Sequence, residues 1–161
     1  MQCKSLFAAA MAIALLSGAA AALAAPAQTV TKAVDSKTTA VAAKNFRGAA
    51  YATSLFRPNE NSAVYGAVVD FAPGARTNWH IHARQQTLIV TQGVGYTQEW
   101  GKPVTVLLPG DIVQCPAGVK HWHGASADSG MSHIAISEAG KEGVTWLEPV
   151  SDEEYAKLTV K

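Results

Sequence analysis

The sequence contains few cysteines and no marked excess of either charge. Only two of its 161 residues are cysteine. Cys3 precedes an apolar N-terminal run, so Cys115 is the one cysteine expected in a processed chain, and an intramolecular disulfide is excluded. The formal net charge is +1, from 13 Lys and Arg against 12 Asp and Glu, and no basic stripe is present. This composition argues against a nucleic-acid or membrane-surface binder.

Long hydrophobic runs are also absent, apart from one near the N-terminus. Lys4 precedes an almost entirely apolar run from Leu6 to Leu16, and a stretch of small residues ends at Ala24. This pattern is typical of a secretory signal peptide, and the run is short for a membrane span, although a retained anchor is the alternative. We therefore predict a signal peptide at residues 1–24, a periplasmic or secreted protein, and no stable membrane anchor.

The rest of the chain divides into a short arm and one β-rich domain. Residues 25–45 are rich in Ala, Thr, Lys and Val and are predicted to be an N-terminal arm or linker, with one short strand possible. Residues 46–161 show short β-branched and aromatic runs separated by Pro and Gly turns, a pattern typical of a sandwich or barrel. A capping box at Ser151–Glu154 predicts a short C-terminal helix. The candidate strands are Arg47–Thr53, Ser62–Phe71, Asn78–His82, Gln86–Thr91, Gly95–Trp100, Val104–Leu108, Asp111–Cys115, Met131–Ser137 and Val144–Leu147.

The histidines are concentrated in the second half of this domain. His80 and His82 alternate on a predicted strand, so their rings point to the same side. Gln86 follows four residues after His82, and His121 comes from a later segment. Three imidazoles and one amide oxygen form a plausible four-ligand site for a divalent metal. An isolated histidine is more often structural than a ligand, but that explanation would have to hold for all of these residues together.

Two motifs carry a resemblance to a known family. Gly74-x5-His80-x-His82-x3-Gln86-x6-Gly93 and Gly110-x5-Pro116-x-Gly118-x2-His121 resemble the first and second motifs of the cupins. The resemblance implies an all-β cupin fold, a double-stranded β-helix or jelly-roll barrel, with the metal held inside. Gln86 replaces the usual glutamate of the first motif, and Ala125 replaces the usual asparagine of the second. With four neutral ligands the metal keeps its full charge, which favours polarised or anionic ligands.

The flanking residues resemble a narrower group, the bacterial cupin hydroxynitrile lyases. The similar segments include Pro73–Thr77, Gln86–Thr91, Lys120–Ala125 and Met131–Ile136. This resemblance implies Mn²⁺ bound by His80, His82, Gln86 and His121, although Fe²⁺, Ni²⁺, Cu²⁺ and Zn²⁺ are chemically possible. It also implies that His133 is the general base. A neutral imidazole suits that role, and a buried structural histidine is the alternative.

Several further residues are assigned to the substrate pocket. Ala67 and Val69 precede the first motif and are expected to form an apolar wall that suits an uncharged substrate. Ser137 stands where the resembling lyases carry a glutamine. His123 is either a partner of the ligands, on the same face as His121, or a loop residue. Thr77 completes this set of pocket residues.

The function that the resemblance implies is a lyase that cleaves or forms cyanohydrins. A cupin dioxygenase using the same metal site and a non-enzymatic module that binds a small ligand are the alternatives. A small molecule is the expected partner, and a homodimer or homotetramer is expected because sheet edges need protection. Arg76 is interpreted as a solvated turn residue, and Cys115 as a small strand residue rather than a nucleophile.

Overall fold

The computed structural model describes residues 27–158, and those from Thr31 onward form one compact unit. The predicted signal peptide lies outside the described residues. Two short 3-10 helices, Ala33–Asp35 and Ala43–Asn45, and one α-helix, α1 (Asp152–Ala156), accompany the strands. The strands are β1 (Thr38–Ala40), β2 (Phe46–Arg47), β3 (Ala50–Phe56), β4 (Val64–Phe71), β5 (Arg76–Thr77), β6 (His80–His82), β7 (Gln86–Gly93), β8 (Gly95–Glu99), β9 (Thr105–Leu107), β10 (Ile112–Cys115), β11 (His121–Ala125), β12 (Met131–Glu138) and β13 (Val144–Trp146).

The strands form two antiparallel sheets. The six-stranded sheet has the order β1-β3-β4-β12-β7-β10. The second sheet has the order β13-β6-β11-β5-β2, and β8 joins it by pairing with both β11 and β9. The predicted all-β fold with a short C-terminal helix is confirmed. Within the predicted N-terminal arm, β1 pairs with β3 and forms one edge of the first sheet.

The core lies between the inner faces of the two sheets. Phe71 and Met131 of the first sheet pack with Ala75, Leu107 and Ala125 of the second sheet and its loops. These side chains alternate with outward-facing residues along each strand, as the pleat requires. Apolar side chains therefore fill this part of the barrel interior, and the buried polar side chains are grouped beside them.

A second cluster covers the outer face of the seven-stranded sheet. Trp79 and Trp122 pack there against Val150 and Tyr155 of the C-terminal segment. Since side chains on β11 alternate, Trp122 points outward to this cluster while His121 and His123 on either side of it point inward. The C-terminal segment therefore helps to hold the histidine-bearing strand in place.

The C-terminal helix is capped as predicted, and a buried arginine anchors it. The Ser151 hydroxyl accepts the Glu154 N–H at 3.0 Å. The Arg76 guanidinium donates to the Val150 carbonyl, pairs with Asp152 and lies 4.4 Å from the ring centre of Tyr155. Only 5% of the Arg76 side chain is exposed. The prediction of a solvated Arg76 is therefore wrong, because the returning C-terminal segment covers it.

Two strands were not among the candidates, β5 and β11. The β11 sequence His-Trp-His-Gly-Ala lacks β-branched residues, and all five of its positions are buried, so the polar and apolar alternation of a half-exposed strand is missing from its sequence. Gly124 is required there because a side chain would approach the Ala75 carbonyl and the Arg76 backbone to about 2.5 Å. Among the described residues, no helix has the length and apolar character needed to cross a membrane.

Candidate metal centre

Three imidazoles converge inside the barrel from neighbouring strands. His80 and His82 lie on β6, and His121 lies directly opposite His80 on β11. One ring nitrogen from each residue lies within 4.8 Å of the others, and all three side chains are buried. The alternation of His80 and His82 therefore has the consequence expected from the sequence. The three histidines could hold a divalent metal ion.

Backbone carbonyls determine which ring nitrogens face the centre. His80 Nδ1 donates to the Asn78 carbonyl at 2.9 Å, and His121 Nδ1 donates to the Val119 carbonyl at 3.0 Å. A carbonyl can only accept, so each Nδ1 carries the proton and each neutral ring keeps a lone pair at Nε2. Such outer partners orient metal-binding histidines in proteins. Both rings are therefore prepared to bind a metal through Nε2.

The fourth predicted donor arrives from the other sheet. Gln86 begins β7, and its Oε1 lies 3.1 Å from His121 Nε2. Since His121 donates from Nδ1, Nε2 and Oε1 are both acceptors, and a cation between them satisfies both. Among the described atoms, the buried His82 Nε2 has no hydrogen-bond partner. These unsatisfied lone pairs fit a divalent cation bound by His80, His82, His121 and Gln86.

Burial keeps these imidazoles neutral. Desolvation lowers the pKa of His82 to about 4, with the neighbouring His121 as a second cause. Desolvation, followed by repulsion from His121, holds the pKa of His80 well below its ordinary value. Desolvation also lowers the pKa of His121. Metal binding requires unprotonated imidazole, so the site is in the required protonation state at neutral pH.

Two further imidazoles lie beside the triad. His123 is on β11, on the same face as His121, and its ring centre lies 5.3 Å from that of His80. His133 is on β12, and its Nε2 lies 3.2 Å from His123 Nδ1. Desolvation lowers the pKa of His133 to about 4 and holds that of His123 well below its ordinary value. His123 thus links the triad to His133. Of the two interpretations offered by the sequence, His123 lies on the same strand face as His121 and is not a loop residue.

The residues assigned to the pocket occupy different positions around the centre. Strand pairing places Val69 opposite His133 and Ala67 opposite Ala135, on the inner face of the six-stranded sheet. Ser137 lies opposite Gln86 on the same face. The Thr77 hydroxyl instead accepts the His123 backbone N–H at 3.2 Å. Thr77 therefore helps to position β11.

Sequence reasoning missed two groups that hold the ligand histidines. The Asn78 side chain donates to the carbonyls of Lys44 and Leu147, which anchors the backbone that orients His80. The buried Cys115 Sγ lies 3.1 Å from His121 Nδ1. Burial raises the pKa of this thiol to about 11, so it is protonated at neutral pH. No local pattern signals either contact, because both depend on segments that meet only in the folded chain.

The sequence and the fold are similar to those of known proteins. The Cupin domain family matches residues 67–137. The chain is 46% identical over 114 residues to an (R)-mandelonitrile lyase of Granulicella tundricola, covering 70% of this chain and 86% of the relative. A cupin-like protein from Thermotoga maritima superposes with a TM-score of 0.70 at 42% identity, over 74% of this chain and 91% of that one.

A more distant likeness concerns the fold alone. The polyketide cyclase RemF from Streptomyces resistomycificus superposes with a TM-score of 0.66 at 14% identity, over 83% of this chain and 94% of that one. One architecture thus carries different chemistries, so function has to be argued from the site. The matching family model, the similar relatives and the two-sheet barrel agree: the chain belongs to the cupin family.

Proposed function

We propose that the protein is a metal-dependent lyase that cleaves or forms cyanohydrins. The observation that carries the proposal is the pair of neutral imidazoles, His123 and His133, buried beside a triad able to bind a metal. The name of the similar relative, (R)-mandelonitrile lyase, supports the same chemistry. A polarised oxygen next to a neutral base is the arrangement that cyanohydrin cleavage requires.

The metal is proposed to be Mn²⁺, with Fe²⁺, Ni²⁺, Cu²⁺ and Zn²⁺ as alternatives. When bound by His80, His82, His121 and Gln86, it supplies the Lewis acidity that makes the substrate hydroxyl more acidic. The imidazoles and the amide are neutral donors, so they do not offset the charge of the ion. The inner-face residues Ala67 and Val69 suit an uncharged organic group.

The two remaining histidines are proposed to move the proton. If His123 Nδ1 donates to His133 Nε2, then His123 Nε2 is free to accept the substrate hydroxyl proton, and His123 passes its Nδ1 proton to His133 Nε2, so that His133 is the proposed base, reached through His123. The oxygen electron pair then forms the carbonyl double bond of the aldehyde or ketone product, while the bond between the carbinol carbon and the nitrile carbon breaks and its electron pair leaves with cyanide. Because burial lowers the pKa of His133 to about 4, a proton passed to this pair is readily returned. Cyanide accepts it and leaves as hydrogen cyanide.

Release of benzaldehyde from racemic mandelonitrile tests this proposal. The protein is assayed after loading with manganese and after stripping with a chelator, and only the loaded form is expected to be active. His133→Leu is expected to lower the rate by about 10²–10⁴-fold while the protein still binds manganese. His82→Ala is expected to lose both properties.

Two results would contradict the proposal. A stripped protein as fast as the loaded one would exclude the metal-dependent reaction. An unchanged rate in His133→Leu would remove His133 from the mechanism as the proton acceptor. Oxygen uptake without benzaldehyde release would favour the dioxygenase alternative, since the same ligands suit oxygen-binding metals.

We also propose that the protein acts as a homodimer or homotetramer in the periplasm or outside the cell, on a small molecule. The outer face of the six-stranded sheet supports an oligomer, because Tyr51, Phe56 and Ile112 are 48%, 45% and 63% exposed there. Exposed apolar side chains on one face favour association. Light scattering of the wild type and of Ile112→Lys tests this: a monomeric wild type would contradict it, and Ile112→Lys is expected to weaken the assembly.

A further inference from the structure

A cavity of about 600 Å³ opens beside the edge of the six-stranded sheet formed by β1 and β3. Its lining includes four residues of strands β1, β3 and β4, here called the floor: Thr39, Ala52, Ser54 and Ala67. Only Ala67 was expected from the sequence to line a pocket. The cavity is larger than a single aromatic ring requires and falls within the usual range for small-molecule sites.

Strand pairing connects this floor to the candidate metal centre. Ala52 lies opposite Val69, and Val69 lies opposite His133, so the three side chains share the inner face of the sheet. Neighbouring strands are about 4.8 Å apart, which places Ala52 roughly 10 Å from His133. The cavity floor therefore lies on the same inner face of the sheet as His133, with Val69 between them.

A parallel row leads from the cavity towards the metal donors. Ser54 lies opposite Ala67, and Ala67 lies opposite Ala135 on β12. Two residues further along β12, Ser137 lies opposite Gln86. The side chains along this route are small, so an extended group can lie against the sheet without displacing them.

The chemistry of the cavity selects an uncharged, mainly apolar ligand. Alanine methyl groups and two hydroxyl groups form the floor, while Asp35, Lys37 and Arg57 also contribute to the lining. Ala52, Leu55, Phe56 and Ala67 give the lining an apolar surface against which an aryl or alkyl group can pack.

We propose that this cavity is an outer subsite for the distal aryl or alkyl group of the substrate, with Ala52 and Ser54 setting its size limit. The inference rests on the proposed function, because it assumes that the substrate oxygen lies at the histidine centre. A substrate with one aromatic ring occupies the inner site alone. A substrate extended by a second ring reaches the subsite.

Binding of two inert alcohols tests the subsite without any turnover. Benzyl alcohol and 4-phenylbenzyl alcohol are titrated calorimetrically into the manganese-loaded protein. The wild type is expected to bind the longer alcohol at least tenfold more tightly. Ala52→Leu and Ser54→Leu are expected to lose this preference while their affinity for benzyl alcohol stays unchanged.

Thr53→Leu is the matched control, because Thr53 lies between these two residues and pairs with Val68 on the opposite face of the sheet. It is expected to keep the wild-type preference. The subsite is refuted if the wild type does not distinguish the alcohols, or if Ala52→Leu retains the full preference. A changed oligomeric mass of Ala52→Leu in light scattering would show instead that a second copy of the chain occupies the cavity.

The outcomes separate this inference from the lyase proposal. A retained preference for the longer alcohol without cleavage of mandelonitrile would refute the lyase activity and leave the subsite standing. Cleavage of mandelonitrile without any preference between the alcohols would refute the subsite alone.

Discussion

His133 makes the stability of the protein depend on pH. Its side chain is fully buried, and desolvation lowers its pKa from 6.5 to about 4, with the nearby Asp70 acting in the opposite direction. Between these two values the unfolded chain binds a proton at this residue and the folded chain does not. Well above pH 6.5, the titration of His133 therefore does not affect the free energy of unfolding. As the pH falls from 6.5 towards 4, this titration lowers the free energy of unfolding.

The size of the loss follows from the two pKa values. Between pH 7.5 and pH 4.5, the differential protonation of His133 lowers the free energy of unfolding by about 2.5 kcal/mol. His133→Leu removes this titration together with the buried Nδ1, which has no hydrogen-bond partner among the described atoms. The variant is therefore expected to lose about 2.5 kcal/mol less than the wild type over the same range.

Urea denaturation of both proteins at several pH values measures this difference. A chelator is present throughout, so that the pH dependence of metal binding does not contribute. Ile134→Val, the neighbouring position on the opposite face of β12, serves as the control and is expected to follow the wild-type pH dependence. If His133→Leu loses stability as steeply as the wild type, the imidazole is not buried in its neutral form and the reasoning fails.

Three further predictions concern other parts of the molecule. Arg76→Leu is expected to cost about 2 kcal/mol in urea denaturation, because it leaves the buried Val150 carbonyl without its donor. Arg47→Leu, half exposed beside the exposed Asp152 carboxylate, is expected to cost much less, and equal losses would contradict this. Gly93→Ala is expected to prevent folding, as its Cβ would lie 1.8 Å from the Gly130 carbonyl oxygen. In Gly118→Ala the added Cβ meets open space, so only the positive φ opposes it, and the free energy of unfolding is expected to fall by about 1 kcal/mol. Circular dichroism is expected to show a folded Gly118→Ala and an unfolded Gly93→Ala. Manganese at a hundred times its Kd should raise the free energy of unfolding of the stripped protein by about 2.7 kcal/mol, and an unchanged thermal midpoint would argue against the site.

Local patterns in the sequence predicted the local parts of the structure. The spacing of His80 and His82 defines a shared face on any extended strand, and the Ser151 hydroxyl caps the following helix as the motif requires. Proline and glycine marked most of the turns. Each of these features depends on residues a few positions apart, so the chain specifies them before the sheets pair.

Strand pairing decided the rest, because it joins residues that are distant in the chain. Gln86 reaches His121 only because β7 and β11 belong to two sheets that face each other, and strand β11 exists because three other strands pair with it. The sequence alone determined which residue types could bind a metal and where the strands alternate. The tertiary structure decided that Arg76 is buried and that His123 links the triad to His133. Burial and these contacts are properties of the assembled sheets, whereas residue type and alternation are properties of the chain.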